Sequence, residues 1–347
     1  MAESIDGAPP PVLIDRPPEL SIVAPFYNES ANLDTFFTRV RAVMQKLNLS
    51  YEIVCVNDGS RDDTLERLVQ HHQKDPAIKV VNLSRNFGKD IALTAAIDHA
   101  RGNAVVPIDS DLQDPPEVIG ELVAKWREGY DVVYATRRTR QGEGVFKRVT
   151  ADLFYRIFDA TTDFAIPRNT GDFRLMSRAA VDALKRLPER NRFMKGLFAW
   201  VGFRQTAVFY DRQPRHAGTT KWNYWRLWNF AIDGITGFSS LPLRIWSYIG
   251  LFLATCAFVY AVFLVVLKLG WGIETPGYAS IMVAVLLLGG VQLITLGVLG
   301  EYISRIYIEV KARPLYLVRD TYGIKPIAAP AVTAAAIVPA EKSEALS

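Results

Sequence analysis

The chain has 347 residues, of which 50% are hydrophobic and 22% are charged, and its net charge at pH 7 is +4. This length can hold two ordinary domains, and this composition excludes both a disordered chain and one embedded in a membrane throughout. The basic residues are dispersed along the chain with no dense run, so we expect no nucleic-acid partner.

Residues 1–18 are rich in proline and lack an apolar core, so we expect a disordered leader and no secretory signal. The soluble part of the chain is then expected in the cytoplasm. Cys55 lies in a predicted strand and Cys256 in a long apolar run, which argues against a disulfide framework and a cysteine metal site.

From Leu20 to about residue 136, short apolar runs alternate with segments of helical pattern. The predicted strands are Leu20–Ala24, Tyr51–Val56, Ile78–Leu83, Ala104–Ile108 and Asp131–Ala135. The predicted helices are Asn32–Leu47, Asp63–Gln73, Lys89–Ala100 and Pro116–Glu128. Asp114 is the expected N-cap of the last helix, because Pro115 and Pro116 suit a helix start. This alternation predicts an α/β fold with a mainly parallel, Rossmann-like sheet.

Polar clusters follow the predicted strands, at residues 27–29, 57–60, 84–86 and 109–111. In parallel sheets ligands collect beyond these carboxyl ends of the strands. Asp109 and Asp111 share one face of their strand end, where two carboxylates would repel each other unless a cation lies between them. Mg²⁺ or Mn²⁺ that also binds a diphosphate is the natural cation for such oxygen ligands. The clusters 27–29 and 57–60, taken alone, also fit a simple turn with a helix cap, and the pair Asp109 and Asp111 alone also fits a solvated loop with an N-cap.

The segment after residue 136 is less regular. Residues 137–147 are basic and without apolar period, which predicts a loop. A helix is expected from residue 151, followed by turns at Pro167 and over residues 171–174.

Two long apolar runs, residues 245–267 and 279–303, each exceed the roughly 20 residues that cross a bilayer. Residues 222–238 are rich in Trp and Tyr, which predicts an amphipathic interfacial helix. Basic residues on the outer flanks of both runs place the flanks in the cytoplasm and the short connector outside. Two buried helices of a soluble domain are the alternative. The expected organisation is a domain over 19–221, juxtamembrane helices over 222–242, two transmembrane helices within 243–305, and a cytoplasmic segment over 306–347 with a disordered end.

Five motifs stand together in this chain: Pro-Phe-Tyr-Asn-Glu (25–29), Asn-Asp-Gly-Ser (57–60), Asp-Ser-Asp-Leu-Gln (109–113), Gly-Asp-Phe-Arg (171–174) and Arg-His-Ala-Gly-Thr-Thr-Lys (215–221). With the two apolar runs, they make the chain resemble the GT-A-fold glycosyltransferases of family 2. More narrowly, it resembles the membrane-bound polyprenyl-phosphate glycosyltransferases, which include dolichol-phosphate mannose synthases and bactoprenol glucosyltransferases. The resemblance implies a GT-A fold for the cytoplasmic domain.

The resemblance also implies roles for individual residues. The implied metal ligands are Asp109, Asp111 and Gln113. The implied nucleotide-binding residues are Pro25, Tyr27, Glu29, Asp58, Gly88, Lys89 and Ser110. The implied catalytic residues are Asp111, Asp172 and Arg174, where Asp172 is expected to orient a substrate or Arg174 more than to act as a base. The implied phosphate- and acceptor-binding residues are Arg137, Arg138, Arg212, Arg215 and Lys221. The role of Asn57, where relatives often have Asp, stays open.

The expected activity is inverting, metal-dependent transfer of a hexose to polyprenyl (undecaprenyl) phosphate. Residues 190–196 and 200–203 indicate the bactoprenol subgroup, so the expected donor is UDP-glucose. GDP-mannose and other UDP-sugars remain open as donors. We expect Mg²⁺ or Mn²⁺ as cofactor, a bilayer as partner, a homo-oligomer (a tetramer by resemblance), and a multi-pass protein of the inner or plasma membrane with its catalytic domain and C-terminus cytoplasmic.

Three other functions fit the sequence less well. A processive polysaccharide synthase typically has Gln-x-x-Arg-Trp, which this chain lacks. A non-enzymatic membrane scaffold or nucleotide sensor is disfavoured by the intact Asp-x-Asp. A dinucleotide-dependent oxidoreductase is disfavoured because no Gly-x-Gly-x-x-Gly follows the first strand.

Overall fold

The computed structural model describes residues 17–138, 166–211, 241–271 and 277–324, and single positions at 156, 158–159, 162, 164, 236–237 and 239. The strands are β1 (Leu20–Phe26), β2 (Tyr51–Asn57), β3 (Ile78–Leu83), β4 (Ala104–Pro107), β5 (Val132–Arg137), β6 (Thr170–Ser177), β7 (Gln205–Tyr210) and β8 (Val318–Tyr322). The helices are α1 (Leu33–Leu47), α2 (Thr64–Lys74), α3 (Lys89–His99), α4 (Ile119–Arg127), α5 (Arg178–Lys185), α6 (Met194–Trp200), α7 (Leu241–Trp271) and α8 (Tyr278–Lys311).

These strands form a single mixed sheet in the order β7-β5-β6-β4-β1-β2-β3-β8. The pairs β1–β2, β1–β4, β2–β3 and β5–β7 are parallel, whereas β6 and β8 run antiparallel to their neighbours. The predicted α/β fold with a mainly parallel sheet is confirmed.

Both faces of the central strands are buried, which explains their nearly continuous apolar sequences. On one face, Ile22 and Ile53 pack with the apolar stripe of α1, which includes Phe36, Phe37 and Val40. The stripe recurs at the spacing of an amphipathic helix, so α1 presents one side to the sheet. The opposite face of the sheet is covered mainly by α3, α5 and α6.

Two local predictions between β4 and β6 are wrong. Asp114 does not cap the following helix: its side chain is buried and accepts a hydrogen bond from Tyr210, and a 3₁₀ turn (Pro116–Val118) precedes α4. Residues 171–174 do not form a turn but lie within β6, because this segment pairs with β5, where Tyr134 faces Arg174.

The C-terminal part contains two long helices and a strand. Within the described residues, one helix is long and apolar enough to cross a membrane, Ser280–Lys311, while the apolar stretch of α7, Tyr248–Leu264, is shorter. Of the two predicted spans, 279–303 therefore corresponds to a helix long enough to cross a membrane, whereas 245–267 is not confirmed. Large apolar side chains of both helices are exposed, including Leu251, Phe252 and Leu293. The predicted interfacial helix over 222–238 lies almost wholly outside the described residues. Strand β8 was not predicted from the sequence.

Candidate active site

The loops that follow β1 and β2 are hydrogen-bonded to each other at the predicted ligand edge of the sheet. The Asn28 backbone N–H donates to Ser60 Oγ (3.0 Å), and the Arg61 backbone N–H donates to Asn28 Oδ1 (2.8 Å). Asn28 has a φ of 53°, in the left-handed region that Asn tolerates. The implied nucleotide-binding residues Pro25, Tyr27 and Glu29 are thereby fixed beside the loop that contains Asp58.

Asp58 is buried at the end of β2 and fixes the segment before α3. Its Oδ1 accepts the backbone N–H of Phe87 (2.7 Å), and its Oδ2 accepts that of Gly88 (3.0 Å). Burial raises the pKa of the Asp58 carboxyl above its usual value, although the two backbone hydrogen bonds oppose this rise. Each carboxylate oxygen keeps acceptor capacity for a ligand donor. The structure thus brings Gly88 next to Asp58, as the implied nucleotide pocket requires.

Lys89, in the first turn of α3, bridges two acids from different strands. Its Nζ lies 2.8 Å from Asp109 Oδ2 at the end of β4 and 2.8 Å from Asp172 Oδ2 on β6. Burial of Asp172 alone would raise its pKa, but the Lys89 charge prevails and lowers it to about 2. For Asp109, burial prevails over the attraction of Lys89, so its pKa is raised. Burial alone would lower the pKa of Lys89, but the charges of Asp109 and Asp172 prevail and raise it well above its ordinary value. The Lys89 ammonium is therefore charged at neutral pH.

The implied metal ligands lie on the tight turn after β4. Asp111 Oδ1 accepts the backbone N–H of Gln113 (3.1 Å), and Leu112 between them is buried with a φ of 59°. Ser110 is buried on the same turn. Among the described residues, no group of three or more His, Cys, Asp and Glu side chains could hold a metal ion. The oxygen donors of Asp109, Asp111 and Gln113 nevertheless fit Mg²⁺ or Mn²⁺, which take one or two carboxylates and complete their shell with phosphates and water.

Arg174 lies behind Asp172 on β6 and is buried. Its guanidinium stacks over the Phe198 ring at 4.0 Å, and its Nη2 donates to the backbone oxygen of Gly171 (2.8 Å). Burial lowers its pKa to about 10, so it remains charged at neutral pH. These contacts place the Arg174 guanidinium against the backbone beside Asp172 and against an aromatic ring, and its predicted catalytic role stays a prediction.

Arg137, at the end of β5, is half-buried and contacts the buried residues Asp114 and Tyr210. Arg137 Nε donates to the Tyr210 hydroxyl (3.2 Å), and its Nη2 lies 3.6 Å from Asp114 Oδ1. A Cβ at Gly171 would lie 3.2 Å from Arg137 Nη2, so the guanidinium is adjacent to β6. Arg138 is exposed, 3.5 Å from Asp211. The predicted phosphate-binding residues Arg212, Arg215 and Lys221 lie outside the described residues.

Two titratable groups near Asp172 were missed by sequence reasoning. Burial and the charge of Asp172 raise the pKa of Asp90 to about 7. Burial lowers the pKa of Lys195 on α6, and the negative charge of Asp172 opposes that change. Lys195 stands in the segment 190–196 that indicated the bactoprenol subgroup, where a lone lysine at the start of an apolar helix was an available signal.

Comparison with known proteins gives two family matches. The family described as Glycosyl transferase family 2 matches residues 21–185. The GtrB C-terminal hairpin matches residues 241–306. The first match contains Asp58, Lys89, Asp109 and Asp172, and the second contains α7 and most of α8.

Similar proteins cover nearly the whole chain. An uncharacterized glycosyltransferase of Synechocystis sp., sll0501, is 62% identical over 88% of this chain and 96% of its own. The SfII prophage-derived bactoprenol glucosyl transferase of Shigella flexneri is 47% identical over 89% of this chain and 100% of its own. Among solved structures, glucosyl-3-phosphoglycerate synthase from Mycobacterium tuberculosis, with Mn²⁺ and UDP, aligns with a TM-score of 0.45 at 20% identity, over 63% of this chain and 78% of that one. Those last values are too low to support a statement about function.

Proposed function

The chain belongs to glycosyl transferase family 2, and from this premise we propose that it transfers glucose from UDP-glucose to undecaprenyl phosphate or a closely related polyprenyl phosphate. The support from similarity is the 47% identity to a bactoprenol glucosyl transferase along its full length, together with the C-terminal hairpin match. The structural observation that carries the proposal is the segment 87–89. Its backbone contacts Asp58 and its lysine contacts Asp109 and Asp172, so one short segment joins three acids from three strands.

The donor nucleotide binds along this edge of the sheet in our proposal. Tyr27 stacks on the base, while Glu29 and Asp58 accept hydrogen bonds from base or ribose. The backbone at Gly88 and the Lys89 ammonium face the diphosphate, where a fixed positive charge stabilises the departing anion. Two backbone N–H groups fix the Asp58 carboxylate, which limits the directions from which it can accept a hydrogen bond from the donor.

Asp109, Asp111 and Gln113 would hold Mg²⁺ or Mn²⁺. Such an ion supplies Lewis-acid stabilisation of the leaving nucleoside diphosphate. Arg137 adds positive charge beside the same edge, since its guanidinium stays protonated and lies next to Gly171.

The acceptor phosphate needs little general-base catalysis to become a nucleophile. A phosphate monoester has a second pKa of about 6, so it is largely ionised near neutral pH and is already a nucleophile. Asp172, with a pKa of about 2, is a weak base, which favours a role in orienting the acceptor or the donor. Attack in line on the anomeric carbon inverts its configuration, so an α-linked donor gives a β-linked lipid-phosphate sugar.

The membrane arrangement follows the same proposal. The apolar helix Ser280–Lys311 and the shorter apolar stretch of α7 form a hairpin in the inner or plasma membrane, with the catalytic domain and the C-terminus in the cytoplasm. The lipid phosphate reaches the site from the bilayer surface, where the basic residues Arg138, Arg212, Arg215 and Lys221 attract it. A homo-oligomer, a tetramer by the resemblance, remains a prediction, as do the domain boundaries.

A donor screen tests the proposal. Purified protein in detergent is incubated with undecaprenyl phosphate, Mg²⁺ and each candidate donor in turn, and the glycolipid is identified by mass spectrometry. We expect a glucosyl lipid from UDP-glucose, and its loss in Asp111→Ala with the melting temperature nearly unchanged. A lipid product from GDP-mannose or another UDP-sugar alone would replace the donor assignment, and near-normal turnover by Asp111→Ala would refute the metal assignment.

A further inference from the structure

A row of side chains crosses four adjacent strands next to the nucleotide loops. Phe26, Asn57, Asn82 and Asp320 are partners in register on β1, β2, β3 and β8. The three polar members are hydrogen-bonded in series. Asn57 Nδ2 donates to Asn82 Oδ1 (2.9 Å), and Asn82 Nδ2 donates to Asp320 Oδ2 (3.0 Å). We name Asn57, Asn82 and Asp320 the amide relay.

The carboxylate at one end sets the direction of every bond in the amide relay. An ionised Asp320 only accepts, so Asn82 must turn its NH₂ toward β8 and its carbonyl oxygen toward β2. Asn57 must therefore turn its NH₂ toward Asn82, which leaves its Oδ1 facing the turn after β2. There it accepts the backbone N–H of Ser60 (3.3 Å).

The amide relay thus ends in the loops assigned to the nucleotide. Ser60, whose backbone bonds to Asn57, also accepts the Asn28 backbone N–H through its hydroxyl (3.0 Å). Asp58 directly follows Asn57, and its own backbone N–H donates to Phe26 O (2.9 Å). The orientation of the Asn57 amide is therefore part of what places Asp58 and the turn around it.

Burial makes the amide relay sensitive to its outer member. Asn57 and Asn82 are only 2% and 4% exposed, so water has little access to an amide that loses its partner. An unsatisfied buried donor is more costly than the same bond is favourable, and reorientation of the amide is the alternative. Asp320 itself is at the sheet edge, with its side chain 47% exposed, so it can be changed without disturbing the core.

We propose that Asp320 is a positioning residue for nucleotide binding, acting through Asn82 and Asn57 on the turn that contains Asp58. The inference rests on the proposed function, because it assumes that this turn binds the donor nucleotide. In this proposal β8, which follows the apolar helices and lies outside the residues matched by glycosyl transferase family 2, completes the nucleotide site.

The connection between α8 and β8 is also fixed to the catalytic domain. Glu309, near the end of α8, accepts the backbone N–H of Arg190 (2.7 Å), and the Tyr316 hydroxyl donates to Asp98 (2.9 Å). The Ser84 backbone N–H donates to Leu317 O (2.9 Å) just before β8 begins. These contacts hold β8 in place, so the register that aligns Asp320 with Asn82 is set from both ends of the connection.

A charge exchange within the amide relay tests the proposal. Asn82→Asp removes the donor to Asp320 and places two carboxylates side by side, so we expect the Kd for UDP and the KM for UDP-glucose to rise roughly three- to tenfold, with kcat nearly unchanged. Adding Asp320→Asn lets the carboxylate at position 82 accept from the amides on both sides. The double variant is expected to recover wild-type affinity to within about twofold, a recovery that a general loss of structure would not show.

Edge variants supply a second test that does not alter a buried position. Asp320→Ala is expected to raise the Kd for UDP, and Asp320→Asn to keep it near the wild-type value. Leu317→Ala, which truncates an exposed side chain just before β8, should leave the Kd unchanged. Unchanged affinity in Asn82→Asp, no recovery in the double variant, or equal effects of Asp320→Ala and Leu317→Ala would overturn the proposal. Wild-type protein that binds no UDP in calorimetry would instead show that the proposed function is wrong.

Discussion

Gly59 offers the sharpest test of how the nucleotide loops are built. Its φ is +64°, and a Cβ added there would lie 2.5 Å from the backbone carbon of Arg85 and 2.5 Å from the backbone nitrogen of Asn86. Ordinary van der Waals contact begins at 3.4 Å, so Gly59→Ala forces the backbone at residues 85–86 to move. That backbone leads directly into the Phe87 and Gly88 N–H groups that Asp58 accepts.

The cost of Gly59→Ala has two parts. A left-handed conformation costs an alanine about 1–2 kcal/mol. Overpacking against backbone adds about 1–3 kcal/mol. We therefore expect the free energy of unfolding to fall by roughly 2–5 kcal/mol. When the displaced Asp58 loses one charge-assisted hydrogen bond to the nucleotide, the binding free energy weakens by about 1.5 kcal/mol, which corresponds to about a tenfold loss of UDP affinity.

Gly202→Ala is the matched control for this substitution. Gly202 also has a positive φ, +75°, but an added Cβ meets nothing within 4 Å. Gly202→Ala should lower the free energy of unfolding only by the conformational cost of about 1–2 kcal/mol, and its UDP affinity should equal that of the wild type. Chemical denaturation and UDP titration calorimetry on both variants in detergent measure the two effects. Equal losses of stability and affinity in the two variants would refute the proposed contact between the loops.

Three further predictions concern Lys89, Asp90 and Arg174. Lys89→Met leaves Asp109 and Asp172 without the cation between them, so the melting temperature without metal should fall. Added Mg²⁺ should raise the melting temperature of this variant more than that of the wild type. An equal response to Mg²⁺ would contradict a metal site there. Asp90 has a folded-state pKa of about 7, above its ordinary value of 3.8, so the folded state binds more protons between these values and stability falls as pH rises through this window. Asp58 and Asp109, whose pKa values are also raised, add to this fall. Asp90→Asn should therefore reduce the difference in unfolding free energy between about pH 5 and about pH 8 in EDTA, and an unchanged difference would refute the shift. Arg174→Lys loses the stacked, hydrogen-bonded guanidinium beside Asp172, so kcat should drop while UDP affinity stays near the wild-type value. A loss of UDP affinity would contradict a role for Arg174 that is confined to the surroundings of Asp172.

The first half of the fold could be predicted because its signals are local. Apolar runs such as β1 and β2 alternate with amphipathic segments such as α1. Strand β1 extends its predicted range by two residues and β2 by one. The ligand edge followed from the same pattern, since polar residues come directly after each strand. The implied roles of Asp58, Lys89 and Asp109 fit the observed contacts, and their chemical functions stay predictions.

The parts that were missed depend on contacts between distant residues. β8 has the sequence Val-Arg-Asp-Thr-Tyr, which carries little strand signal, and its Asp320 bonds to Asn82, 238 positions earlier. Asp114 was assigned to a cap from its neighbouring prolines, yet Tyr210, 96 positions away, donates to its carboxylate and keeps it buried. Residues 171–174 resembled a turn because of Gly171 and Asp172, and pairing with β5 makes them a strand. No local pattern reports such partners.

An experimental structure of the protein with UDP and Mn²⁺ tests the proposed metal and nucleotide sites most directly. We predict Mn²⁺ bound by Asp109 and Asp111, the base of UDP next to Asp58, and the diphosphate between the metal and Lys89. UDP bound elsewhere in the protein, with no Mn²⁺ at these two aspartates, would contradict it.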